Sequence, residues 1–106
     1  MSSWSLVAQV DDLFGAEPHA VTAQGMRLAV FDVQGCIYAI EDRCPHDKMA
    51  RLSDGYVDDG TIECPIHQSR FDIRTGQALC PPAEGSVRCF PTRVEDGKIF
   101  VELQDL

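Results

Sequence analysis

Two cysteine and histidine pairs, Cys44-Pro45-His46 and Cys64-Pro65-Ile66-His67, stand with seventeen residues between His46 and Cys64 in a chain that has three histidines and five cysteines. Thiolate sulfur and imidazole nitrogen are the usual donors of zinc and iron–sulfur sites, and the Cys-x-His and Cys-x-x-His spacings let both donors of one segment point to one side. Two segments so far apart in sequence must then be brought face to face, which calls for a scaffold whose loops meet at one end. Zinc modules tend to pair two cysteines in one knuckle and two histidines in another, so that four donors surround one ion. Here each segment supplies one of each. That mixture suits a dinuclear centre, with both cysteines on one iron and both histidines on the other. A Cys2His2 zinc structural module is the alternative reading of the same four residues.

The rest of the chain reads as a β scaffold. Segments 5–10, 26–33, 36–40, 61–64, 86–90 and 98–103 carry strand patterning. Gln34-Gly35, Asp59-Gly60 and Asp96-Gly97 are candidate hairpin turns, because glycine accepts the positive φ that tight turns demand. Residues 11–18 (DDLFGAEP) predict a helical turn too brief to form a layer. The expectation is an all-β sandwich or small barrel, with the two Cys/His segments in loops after the strands at 36–40 and 61–64. Trp4 and the phenylalanines read as core, Cys36 and Cys89 as small buried apolar groups, Cys80 as inert packing, and His19 as a surface residue.

A length of 106 residues predicts one domain over 1–106 with a single modest core. The net charge of −8 excludes a phosphate-binding surface, which needs clustered Lys and Arg, and favours basic protein partners. No apolar run is long enough to span a membrane, and the first residues lack the basic start and apolar stretch of a signal peptide, so the expected location is cytoplasmic. An odd cysteine count in that compartment points to metal binding rather than a disulfide framework. Once His46 and His67 are assigned, only His19 remains, too few for a non-haem iron centre of two histidines and a carboxylate. No G-x-G-x-x-G follows a strand, so neither flavin nor nicotinamide is bound in the Rossmann manner.

On Cys44-Pro45-His46, the run LSDGYVDDGTIECPIHQSRFDIRTGQAL (52–79) and CPPAEGSVRCFPTRVEDGKIFVEL (80–103), the chain resembles the Rieske proteins. Within that family it is similar to the small ferredoxins of bacterial aromatic-ring-hydroxylating dioxygenase systems. The resemblance implies an antiparallel β-sandwich and small-barrel fold with two cluster-binding loops at one end, at about 42–55 and 64–72. It implies one [2Fe–2S] cluster held by Cys44, His46, Cys64 and His67, with Met49, Gln68, Ser69 and Pro81 around it. Two neutral imidazoles leave such a cluster less negative than four thiolates do, which raises its reduction potential.

Quinol-oxidising relatives carry a disulfide between the loops; the matching positions here are Met49 and Ile66, so none can form. Of the serine and tyrosine hydroxyls that raise the potential in high-potential relatives, Ser69 is kept and Phe71 replaces the other. A potential towards the low end of the Rieske range, roughly −150 mV, is expected. A loop serine bonding its own backbone is the alternative role for Ser69. Pro81 and Pro82 match a proline-rich third loop, and Asp47 reads as a solvated carboxylate. The implied function is that of a monomeric carrier, not itself an enzyme. It would accept electrons from an NAD(P)H-dependent flavoprotein reductase and deliver them to a terminal oxygenase, with no nucleic-acid or membrane partner. A Rieske-like small subunit of a nitrite-reductase-type complex is the second reading.

Overall fold

The structure, a computed structural model, describes residues 3–13, 17–44, 50–66, 69–80 and 87–103. The described residues form three antiparallel sheets. The first has the order β1 (Ser3–Gln9), β11 (Lys98–Leu103), β10 (Thr92–Glu95). The second is β2 (His19–Ala23), β3 (Met26–Val33), β4 (Cys36–Glu41), β9 (Cys89–Phe90). The third is β5 (Tyr56–Asp58), β6 (Thr61–Glu63), β7 (Arg70–Asp72), β8 (Ala78–Cys80). The expected all-β class is therefore the observed one.

The second sheet is the middle of the molecule because both of its faces are buried. Leu28, Ala29, Val30 and Phe31 of β3 are all fully inaccessible, and successive side chains of a strand point to opposite faces. Leu28 and Val30 pack with Ala39, Phe90, Ile99 and Val101 in a core shared with the first sheet. Ala29 and Phe31 pack with Ile40, Leu52, Ile62, Phe71, Ile73, Cys44 and Cys64 in a second core shared with the third sheet. A continuous apolar run, rather than simple alternation, is what such a doubly covered strand requires. Burying a side chain such as Phe31 stabilises the fold by about 1.5–3 kcal/mol.

All three predicted Xaa-Gly turns form, with positive φ at both central residues of Gln34-Gly35, Asp59-Gly60 and Asp96-Gly97. Gln24-Gly25 makes a fourth, between β2 and β3. Five strands lie outside the sequence expectation. β5, β7 and β8 span three residues each, too few for a period to show, and β10 is exposed along most of its length. β2 extends the pattern to His19, which is half-buried rather than a plain surface residue. The expected helical turn is a 3-10 turn over Val10–Asp12, closed by Gln9 N–H donating to Asp12 Oδ2 at 2.9 Å. Residues 14–16 of that segment lie outside the described residues.

Trp4 is a correction. Phe31, Phe71 and Phe90 are core residues, but Trp4 and Phe100 are only partly buried, on the outer face of the first sheet, and Phe14 lies outside the described residues. The Trp4 ring is covered on that face by Arg93, 4.6 Å from the centroid, and the same guanidinium lies 5.8 Å from the Phe100 centroid. The cation–π contact and the long arginine stem do the covering that a second layer would otherwise supply.

Gly76 joins the third sheet to the chain that returns at Val87. Its φ is +79°, its N–H donates to Asp72 O at 2.7 Å, and its carbonyl accepts from Val87 N–H at 2.9 Å. A Cβ at this position would collide with the Val87 carbonyl oxygen. Gly76→Ala combines that clash with an unfavourable φ and is expected to destabilise the protein by about 2 kcal/mol or more, read from the midpoint of urea unfolding.

Candidate metal centre

Two loops leave the second and third sheets with matching construction. After β4, Glu41 N–H donates to Arg88 O at 2.8 Å and Asp42 N–H to Arg27 O at 2.9 Å. The chain then turns inward, and Cys44 N–H donates to Ala50 O at 3.2 Å, closing the neck of the first loop. After β6, Cys64 N–H donates to Ser69 O at 2.7 Å and closes the neck of the second. Each cysteine thus spends its own backbone donor on the residue where its loop returns. The side chains of Cys44 and Cys64 are fully buried in the same core, among Ala29, Phe31, Ile40, Ala50, Leu52, Ile62, Phe71, Ile73 and Val87. No disulfide joins them.

Beneath the second loop, Glu63 and Arg70 face each other across β6 and β7, and Arg70 Nε donates to Glu63 Oε1 at 3.1 Å. This exposed pair contributes up to about 1 kcal/mol and holds the register of the strands that carry the loop. β8 ends at Cys80 opposite Arg70, one residue beyond Ser69. The chain that continues into Pro81 and Pro82 therefore starts beside the second loop. Pro81 and Pro82 themselves lie outside the described residues, as do His46, Asp47, Met49, His67 and Gln68. Of the expected site residues, the structure brings together Cys44, Cys64 and Ser69.

Ser69 makes the test of what this pocket can hold. Its hydroxyl oxygen is buried without a hydrogen-bond partner among the described residues. Leaving such a group unpaired costs about 1–3 kcal/mol. Among the described residues the hydroxyl makes no bond to its own loop's backbone, the alternative role expected for it. Two thiols buried in one apolar core and, where the second loop returns, a buried hydroxyl with no partner among the described residues have the chemistry a sulfur-rich group calls for, the thiols as ligands and the serine as a hydrogen-bond donor. Phe71, fully buried nearby in the same core, offers no second hydroxyl.

Sequence reading missed Asp42 and Ser53. Asp42 is 2% exposed, and its carboxylate oxygens accept from Ser53 N–H at 2.7 Å and from Ser53 Oγ at 2.6 Å. The signal was there as an acid two residues before the first cysteine, but acids at loop entries are usually solvated. Gly55 was missed too: a Cβ there would strike the Glu63 carbonyl oxygen, so only glycine lets the end of the first loop lie against β6.

Cys36 and Cys89 are corrections, for both are exposed rather than buried. Cys36 opens β4 directly after the Gln34-Gly35 turn, and Cys89 faces outward from the two-residue strand β9. The side chain of Cys80 lies outside what is described. Cys89 Sγ donates to Arg74 O at 3.2 Å. Partial burial of the sulfur, with the charge of Asp72 adding to it, pushes the Cys89 thiol above its ordinary range. A raised pKa leaves less thiolate at any given pH. Alkylation of Cys89 by iodoacetamide, followed by peptide mass spectrometry from about pH 7 to 10, is expected to rise at higher pH than that of a cysteine in the middle of a short unstructured peptide in the same tube.

Comparison with known proteins agrees with the geometry. The model of the Rieske [2Fe–2S] domain matches residues 3–91. The ferredoxin component of the naphthalene 1,2-dioxygenase system of Pseudomonas putida is 38% identical over 100 residues, covering 94% of this chain and 95% of its own. A ferredoxin of Sphingomonas yanoikuyae B1 superposes with a TM-score of 0.90 at 35% identity, over 96% of this chain and all of its own. The ferredoxin in a complex of reduced oxygenase and oxidised ferredoxin of carbazole 1,9a-dioxygenase superposes with a TM-score of 0.86 at 33% identity, over 93% of this chain and 92% of its own. The zinc alternative falls with these matches. With Cys44 and Cys64 buried in one core of an all-β scaffold and these matches over nearly the whole chain, the chain belongs to the Rieske [2Fe–2S] family, and its cofactor is a Rieske-type [2Fe–2S] cluster.

Proposed function

We propose that Cys44 and Cys64 hold one iron of the cluster and His46 and His67 the other, in a single domain spanning 1–106. The observation that carries this reading is the burial of the two thiols in one core, with the Ser69 hydroxyl buried and without a partner among the described residues. Met49, Gln68 and Pro81 complete the surroundings by their place in the loops. The protein is the electron-carrying ferredoxin of a multicomponent aromatic-ring dioxygenase system, not an enzyme. Electrons come from an NAD(P)H-dependent flavoprotein reductase and go to a terminal oxygenase. The carrier works as a monomer in the cytoplasm.

When bound, the cluster takes up and gives up one electron at a time. The chain's residues prepare that exchange. Cys44 and Cys64 are fixed by the neck hydrogen bonds before any cofactor is considered, which limits rearrangement around the site when its charge changes. The Ser69 hydroxyl would donate to a cluster sulfur and so favour the more negative, reduced state, while Phe71 has no hydroxyl to add a second such donor. Ile66 in the second loop and Leu79 at the end of β8 are large exposed apolar side chains at this end of the third sheet, suited to brief contact with a partner. The net charge of −8 steers encounters with basic surfaces and lets them dissociate. The second reading, a small subunit tied to a reductase, has less support, because the relatives above are ferredoxin components of dioxygenase systems or match one.

The decisive experiment is electron paramagnetic resonance of the dithionite-reduced protein with iron and acid-labile sulfide counts. A Rieske-type spectrum with about two irons and two sulfides per chain is the expected result. One zinc with no sulfide would overturn the ligand assignment. In the same protein, Ser69→Ala is expected to lower the midpoint potential by about 40 mV, the one-electron equivalent of about 1 kcal/mol. Redox titration with mediators measures it.

A further inference from the structure

Among the described residues Asp42 is the one charged side chain that is buried. Its two carboxylate oxygens accept short hydrogen bonds from the backbone and hydroxyl of Ser53, and its own N–H is anchored on Arg27 O of β3. Asp42 stands two residues before Cys44, and Ser53 three residues after Ala50. The Asp42–Ser53 clasp therefore closes the same loop that Cys44 N–H and Ala50 O close one step further in. Leu52, next to Ser53, is buried in the core that receives Cys44. Two closures in series thus tie the two described ends of this loop to each other.

A clamp alone does not require a charge. An apolar pair packed at the neck would avoid desolvating a carboxylate, and buried charged pairs are often no more stable than well-packed apolar replacements. Among the described residues no lysine or arginine forms an ion pair with Asp42. Arg43 pairs with Glu41 at 3.5 Å instead, and Arg27 and Arg51 line the clefts beside Asp42 without bonding it. The serine donors satisfy the carboxylate's oxygens but do not cancel its charge. A fixed negative charge two residues from a cluster ligand makes an added electron less favourable.

We propose that Asp42 is a positioning residue with two effects: through Ser53 it holds the first cluster loop closed, and through its buried charge it keeps the reduction potential low. The proposal rests on the assignment of Cys44 as a ligand. It accounts for a costly buried carboxylate at the entrance to a loop whose end could be pinned without one. Where Ser69 favours the reduced state, Asp42 opposes it.

The test uses the holoprotein and two substitutions. Asp42→Asn keeps the shape and can keep both contacts to Ser53, by turning the serine hydroxyl round, but removes the charge. Its midpoint is expected to rise, so that the oxidised-to-reduced ratio at a fixed ambient potential falls at least about threefold. Ser53→Ala keeps the charge and loses one arm of the clasp. Its midpoint is expected not to rise, while loss of the visible cluster absorbance to EDTA accelerates at least about threefold. A purely structural role would change thermal stability and leave the potential of Asp42→Asn alone, so an unchanged or lower midpoint overturns the charge effect. Unchanged cluster retention in Ser53→Ala overturns the clasp, and if Asp42→Asn assembles no cluster, a midpoint that rises in Ser53→Ala, where the charge is kept, overturns the charge effect. A wild-type protein with one zinc and no sulfide defeats the ligand assignment itself, and the proposal with it, whatever the variants do.

Discussion

Two-sided burial of the middle sheet is the constraint on which the rest of the molecule depends. β3 and β4 send Leu28, Val30 and Ala39 to one core and Ala29, Phe31 and Ile40 to the other. The first core joins the middle sheet to β1 and β11, where the ladder between those strands brings the two ends of the described chain together. The second joins it to the small sheet β5 to β8 and takes in both cysteines. Without the middle sheet, that four-stranded unit of short strands would have one face and nothing to bury it against, and sheets that small need a packed partner to be stable.

The site uses that packing to resolve a conflict. Thiols committed to metal must be held in place, yet burying polar atoms without partners is costly. Each cysteine settles its backbone donor at its own loop neck, and Asp42 is satisfied by Ser53. Among the described residues the Ser69 hydroxyl is the buried side-chain polar atom left without a partner, and a sulfur-rich cofactor would supply it with an acceptor. Loop necks closed by the protein's own hydrogen bonds pre-organise the two cysteines. The acidic surface acts at longer range, on encounter with partners rather than on the cofactor.

How much of this could be read from the chain depends on the length scale of each signal. The Cys/His segments were legible because short-range spacing limits where donors can point. The Xaa-Gly turns were legible because the φ requirement lies within two residues, although Gln24-Gly25 passed unnoticed in an otherwise apolar stretch. β5, β7 and β8 were not legible, since three residues hold less than two periods and their pairing comes from neighbours. Cys36 and Cys89 were misread for a related reason: apolar character suggests the inward face, but register with a neighbouring strand decides which face it is. Trp4 looked like core because aromatic residues usually are, while Arg93 from another strand supplied its cover.

By itself the sequence determined the donor set, the all-β class and the sign of the surface, because each is carried by residue type or by spacing within a few positions. Tertiary structure alone decided that Cys44 and Cys64, twenty residues apart, share one buried core. It also decided that the Ser69 hydroxyl is buried with no partner among the described residues and that Asp42 closes a loop instead of meeting water. Those outcomes depend on which strand lies beside which, and strand partnership is set by the summed burial of two cores rather than by any short stretch of chain.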